Sequence, residues 1–388
     1  MMIAEEYKDI APYDDEQFAE KMQQLVKDPG FADAIQYVLP GVDYKQLAET
    51  LGKITNKEDF QKQVMLSILL RLEAATTDKV TDSGLDNVDL KVSRLFISNH
   101  RDIVLDASFL GLVMIRQGLP AQEVALGDNL LIYDWIENLV RLNKGIIVKR
   151  NLRLTKALEA ARQLSGYIHY CISEKKESVW IAQREGRAKD SNDVTQESVL
   201  KMLALSGKSD NLVDRLLALR ITPVAISYEF DPNDYLKATE FLAKRRDPDF
   251  KKSQRDDLRS METGLLKHKG RVHFAICKEI NSDLSELHDS TDKVEIIRRA
   301  CALIDKEIHS NYKIYPINYY AYDQINDTSR FAGEYTEAQS EQYNRYFNSQ
   351  LDKVRLEDVT AEERKFMLDA MLNMYAFPLR NKLNATQV

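Results

Sequence analysis

The sequence predicts an α/β fold: a mostly parallel sheet with helices on both faces, flanked by helical regions at both ends. Three observations predict it. Six short runs rich in Val and Ile begin near residue 94, helical patterns separate most of them, and the text on either side is helical. Strands that alternate with helices of crossover length pair in parallel, and a strand covered on both faces reads as a continuous apolar run.

The first 90 residues read as helical, with apolar residues at helical spacing in 18–27 and 60–75. The strand-like runs are 94–98 (RLFIS), 123–127 (EVALG), 145–150 (GIIVKR), 179–183 (VWIAQ), 221–228 (ITPVAISY) and 271–278 (RVHFAICK). Helical patterns occupy 103–117, 130–142, 154–173, 195–205 and 212–219. Beyond about residue 285 the chain is helical, polar and Tyr-rich, and it ends in the pattern 361–375. The expected organisation is a helical region over 1–90, an α/β domain over 91–285 and a second helical region over 286–388.

Composition narrows the function. The 388 residues hold 54 Lys and Arg against 61 Asp and Glu, a net charge of −7, which argues against nucleic acid as a partner. Hydrophobic residues make up 44%, enough for a core, so disorder is excluded. Cys171, Cys277 and Cys301 lie far apart without zinc or redox spacing. That suits a reducing, cytoplasmic compartment and suggests no metal. The acidic N-terminus is unlike a signal peptide, and no apolar run reaches the roughly 18 residues of a membrane span.

Ligands of open α/β sheets gather at the carboxyl ends of the strands. After the first run come Asn99-His100-Arg101-Asp102 and then Asp106. A carboxylate on one imidazole nitrogen fixes the tautomer and leaves the other as a base; the bland alternative is a loop His with Asp102 capping a helix. After the second run comes Asn129. The third run ends in Lys149-Arg150, with Arg153 close behind, inside a stretch (141–162) of seven basic residues and one acid. Basic groups ending a buried strand need an anionic partner, and phosphate is the natural one. A solvated helix face accounts for Lys156 and Arg162. The fourth run leads into Glu185-Gly186-Arg187: Gly186 permits a sharp turn, Arg187 can fork onto phosphate, and Glu185 can hold an arginine. The fifth contains Pro223. His100-Arg101-Asp102 imitates a kinase catalytic loop, but Ala107 stands where that loop needs Asn.

Taken in order, these blocks resemble the glycerolipid acyltransferase superfamily, which acylates glycerol-3-phosphate or lysophosphatidate. Asn99-His100 to Asp106 is similar to its first block, Gly145–Arg150 to its second, Glu185-Gly186-Arg187 to its third and Ile221-Thr222-Pro223-Val224 to its fourth. Asn129-Leu130 and the ending Ile226-Ser227-Tyr228-Glu229 resemble the glycerol-3-phosphate branch. The resemblance covers about residues 91–230. Two departures stand out. Five residues, not four, separate His100 from Asp106, so either Asp106 or Asp102 is the partner, Asp106 being favoured. Gln183-Arg184 precedes Glu185 in place of an apolar pair.

The resemblance implies an O-acyltransferase of phospholipid synthesis. His100, oriented by Asp106 or Asp102, would activate a hydroxyl to attack an acyl thioester, acyl-CoA or acyl carrier protein, as co-substrate without further cofactor. Asn129, Lys149, Arg150, Arg153, Glu185, Gly186, Arg187 and Pro223 would form the substrate side, and helices 103–115 and 130–142 an acyl groove. The other readings are a different lipid hydroxyl acceptor and a non-catalytic lipid- or carrier-binding relative. A lipid product implies a peripheral place on the inner face of the cell membrane. Lys244-Arg245-Arg246 with Lys251-Lys252, and the amphipathic stretch 366–379, are the candidate contacts.

Overall fold

Seven strands form one sheet: β1 (Lys79–Ser83), β2 (Leu95–Ser98), β3 (Glu123–Gly127), β4 (Gly145–Val148), β5 (Val179–Ala182), β6 (Thr222–Tyr228) and β7 (Arg271–Ile276). Their order across the sheet is β1-β7-β6-β2-β5-β3-β4. The structure, a computed structural model, describes residues 4–386. Strands β2 to β6 run in parallel and bring five carboxyl ends to one edge. β7 lies antiparallel to β6, and β1 parallel to β7.

The period-2 alternation of the strands builds two cores. Leu95, Ile97, Val179, Ile181 and Ala225 face the layer formed by helices Leu154–Tyr170 and Lys293–Ser310. Phe96, Trp180, Val224, Ile226 and Phe274 face helices Leu66–Thr76 and Leu105–Arg116. Every residue of β2 and β6 is buried, which explains why both read as unbroken apolar runs.

The flanks are helical, as the sequence suggests, with two differences in detail. β1 is a strand within the first 90 residues; its polar KVTDS carries no apolar run to mark it, and it adds to the sheet edge through β7. The last helix runs from Ala361 to Thr386, through Pro378 and past the expected end at Tyr375, because Leu379 and Asn381 are still buried. The N-terminal helices pack Phe18, Met22 and Phe60 against Leu142 of helix Asp134–Leu142. The C-terminal helices close over helix Asp234–Arg246 with a Tyr- and Met-rich core.

Candidate active site

β2 ends in Ser98, and the next residue fixes the site. The Asn99 side chain is fully buried and copies a peptide: its Nδ2 donates to the Ile226 carbonyl at 2.9 Å, and its Oδ1 accepts from the Ile226 amide at 2.8 Å. The turn that carries His100 is thereby stitched to β6. Trp180 of β5 supports the imidazole edge-on, centroids 5.7 Å apart, and its Nε1 donates to Ser98 Oγ at 3.0 Å.

His100 Nδ1 stands 2.8 Å from Asp106 Oδ2. A carboxylate only accepts, so Nδ1 carries the proton and Nε2 is left free to accept one. The same Oδ2 accepts from the amides of Arg101 (2.6 Å) and Asp102 (3.0 Å). Asp106 is completely buried in the first turn of helix Leu105–Arg116. Asp102 instead spends its Oδ1 on the amides of Val104 (2.9 Å) and Leu105 (2.8 Å). It closes the turn ahead of the helix and makes no contact with the imidazole; of the two aspartates, Asp106 is the one paired with His100. Burial, then the Asp106 carboxylate, raises the Asp102 carboxyl above its ordinary value.

Several neighbours were not among the expected site residues. A Cβ on Gly264 would fall 1.9 Å from Asp102 Oδ2, so helix Gln254–Leu266 touches the His100–Asp106 turn through bare backbone. Lys269 is fully buried; burial brings its ammonium down to about 8 against the pull of Asp102 and Asp231. Tyr228 ends β6 with a buried, unpartnered hydroxyl, and Asp106 Oδ1 is likewise without a donor. Burial and then the Asp106 charge hold that phenol well above its ordinary value. Of these, Tyr228 was visible in the sequence as a strand-ending residue; Lys269 and Gly264 lie far along the chain with no motif around them.

The remaining strand ends divide. Arg150 faces the site: a Cβ on Gly127 would meet Arg150 Nε at 2.4 Å and Asn129 Oδ1 at 2.5 Å, so the three groups share one space. Asp128 accepts from the Arg150 amide at 3.2 Å, and the Glu185 carboxylate stands 3.4 Å from the Arg150 guanidinium. Gly186 adopts φ +67° with open space around it, which suits glycine at that turn. Against the opposing effect of burial, the paired Lys237 lowers the Asp231 carboxyl, with a smaller contribution from the Arg187 charge; Arg187 keeps Nη1 unpartnered. Gln183, fully buried at the end of β5, has neither amide atom hydrogen-bonded. Buried unmet polar groups are costly, and their clustering here marks an edge built to receive polar atoms.

Three expected substrate residues are not brought together with these. Lys149 pairs with Asp9 and approaches Gln163 at 3.4 Å, so it serves the N-terminal segment. Arg153 is exposed at the start of helix Leu154–Tyr170, with no side-chain partner among the described residues. Pro223 lies inside the sheet, opposite Ile97 of β2, and shapes the strand rather than the edge.

An apolar cavity of about 150 Å³ opens beside the turn. Ile103 and Val104 form its near wall, and Gly111, Leu126, Leu130 and Val140 continue it. Both helical stretches expected to form an acyl groove contribute to it.

No curated protein matches the chain. Among solved structures, the 1-acyl-sn-glycerophosphate (LPA) acyltransferase PlsC from Thermotoga maritima is similar over 74% of this chain and 96% of that one, at 12% identity and a TM-score of 0.32. The signal recognition particle 54 kDa protein from Aeropyrum pernix K1, in complex with GDP, covers 96% and 93%, at 12% identity and a TM-score of 0.21. Neither score carries an argument. Residues 79–227 match the family model described as Acyltransferase. That segment starts at β1, ends within β6 and contains all four strand-end blocks.

Proposed function

We propose that the chain is an O-acyltransferase that moves a fatty acyl group from an acyl thioester to the hydroxyl of glycerol-3-phosphate. The observation that carries the reading is the pairing of a half-buried His100 with a fully buried Asp106, 2.8 Å apart, with an apolar cavity at its side.

The reaction is a direct transfer. His100 Nε2 takes the hydroxyl proton as the alkoxide attacks the thioester carbonyl, and Asp106 stabilises the imidazolium that forms. The tetrahedral intermediate collapses with loss of the thiolate, which takes the proton from His100, so no acyl-enzyme is needed. Backbone amides at the Gly186 turn are the candidate oxyanion donors. Arg150, steadied by Glu185 and Asp128, and Arg187 hold the acceptor phosphate and set its hydroxyl against the base. The acyl chain lies in the cavity along helix Leu105–Arg116.

Thiol release from palmitoyl-CoA and from palmitoyl acyl carrier protein, each with and without glycerol-3-phosphate, tests the proposal. Release that needs both glycerol-3-phosphate and His100 supports it and names the donor. Release that needs His100 but not glycerol-3-phosphate points to lysophosphatidate or another hydroxyl. Undiminished release from His100→Ala would sink the mechanism.

A further inference from the structure

Both stretches that the sequence offers for membrane contact are used inside the molecule. Lys244, Arg245 and Arg246 pair with Glu240, Glu362 and Glu363. The helix Ala361–Thr386 buries Met367, Met371, Tyr375 and Leu379 in the C-terminal core.

A different surface is left without a partner. The nine residues 151–159 are all exposed, so the start of helix Leu154–Tyr170 stands clear of the body. It carries leucines where a free helix end should be polar. Leu154 is 91% exposed, Leu158 one turn on is 47% exposed, and Leu152 just before the helix is 37% exposed. Around them stand Arg153, Lys156 and Arg162, none in an ion pair among the described residues, with Glu159 the lone acid of 149–163. Leu154, Leu158 and Arg162 share one stripe at four-residue spacing.

Position adds to composition. The helix begins six residues after the end of β4, at the sheet edge that bears His100. Exposed Tyr133, which follows β3, stands at the same edge. A protruding end of leucines flanked by Arg153, Lys156 and Arg162, with Glu159 and Glu6 as the acids beside them, on a chain of net charge −7, is complementary to one surface in particular: apolar below, anionic above.

We propose that the exposed start of helix Leu154–Tyr170 seats the protein on an anionic lipid bilayer, with Leu154 and Leu158 inserted among the acyl chains and Lys156 and Arg162 on the headgroups. The inference rests on the lipid reading above for its biological sense, but its test does not need turnover. Seated this way, the sheet edge with His100 and Arg150 faces the layer into which a lipid product must pass.

Cosedimentation with vesicles of phosphatidylcholine, alone or mixed with phosphatidylglycerol, measures the contact directly. The wild type should bind the mixed vesicles, bind phosphatidylcholine poorly, and lose affinity as salt rises. Leu154→Asp/Leu158→Asp should weaken binding roughly tenfold or more, since two apolar insertions are lost. Lys156→Glu/Arg162→Glu should weaken it by roughly fivefold or more per residue. Because the substituted residues are exposed, thermal unfolding of both variants should match the wild type. Thiol release from a short, monomeric acyl-CoA with glycerol-3-phosphate should also be unchanged, which separates this inference from the catalytic one. Equal vesicle binding by wild type and the leucine variant overturns the proposal. So does a wild type that ignores mixed vesicles, including one that binds an acidic carrier protein through these residues instead.

Discussion

Asp106→Asn isolates one quantity, the charge behind the base. All three donors, His100 Nδ1 and the amides of Arg101 and Asp102, converge on Oδ2. An asparagine with its oxygen there keeps every bond and the same tautomer. Its NH2 group falls where Oδ1 now lacks a donor, toward the unpartnered Tyr228 hydroxyl, which can accept. What disappears is the attraction between carboxylate and imidazolium. At a charge separation of about 4 Å and an effective dielectric of about 20, that is about 4 kcal/mol. At about 1.4 kcal/mol per decade, turnover should fall on the order of a thousandfold. Stability should change little. Asp106→Ala, by contrast, orphans two buried amides and should cost a few kcal/mol of stability as well, at roughly 1–3 kcal/mol per unmet group. Single-turnover thiol release, run beside thermal unfolding, reads both effects. Asp102→Asn is the control, because asparagine closes the turn as well as aspartate does. The reasoning is refuted if Asp106→Asn keeps turnover within tenfold of wild type while Asp102→Asn loses a thousandfold.

Gly264→Ala places a methyl 1.9 Å from Asp102 Oδ2, against a buried turn that cannot yield; expect about 1–3 kcal/mol of destabilisation by chemical denaturation and lower kcat, whereas a neutral outcome means the helix shifts freely. Arg150→Ala should raise KM for glycerol-3-phosphate at least tenfold, at roughly 1.5–3 kcal/mol for a charged hydrogen bond, while Lys149→Ala, which loses only a partly exposed pair with Asp9, leaves KM alone. Asp234 is fully buried under the Tyr346 and Tyr375 hydroxyls, and burial with the nearby Asp231 pushes its carboxyl from 3.8 up to about 7. The folded state therefore holds this proton to higher pH than the unfolded chain. The stability it contributes is present below about pH 4 and is lost as pH rises to about 7, by up to ~1.4 kcal/mol per pH unit. Asp234→Asn should flatten that part of the stability–pH curve, measured by urea unfolding.

The strands most plainly written in the sequence are those buried on both faces. β2 and β6 have no polar side to dilute the apolar run, and the sheet covers both. β1 was hidden because an edge strand can do with a single apolar residue, here the buried Val80, among polar ones. The reversal of β7 depends on helices Asp234–Arg246 and Gln254–Leu266 between it and β6, and nothing local to its residues records direction. Within the site, the His, the Asp and the strand-end arginine were legible as residues that polar chemistry places where a strand stops. Lys149 and Arg150 are neighbours in sequence but take different partners, Asp9 for the first and Glu185 for the second, and no local pattern tells them apart. Gly264 and Lys269 were not legible at all, since their role is to pack behind Asp102 from a segment some 160 residues away.

The peptide-like grip of Asn99 bears on how the His–Asp interval should be counted. Asn99 is tied down to β6 on one side of the turn, and Asp106 is embedded in a buried helix on the other. Between these two moorings the chain folds into a buried turn, closed by the Asp102 side chain and by the Arg101 and Asp102 amides on Asp106. A residue more in such a turn is taken up in how the turn folds, while the moorings stay in place. The interval between imidazole and carboxylate is therefore set in space by two neighbouring elements rather than by a count of residues. A pattern search that insists on a fixed count will overlook chains whose imidazole and carboxylate still meet at hydrogen-bond distance.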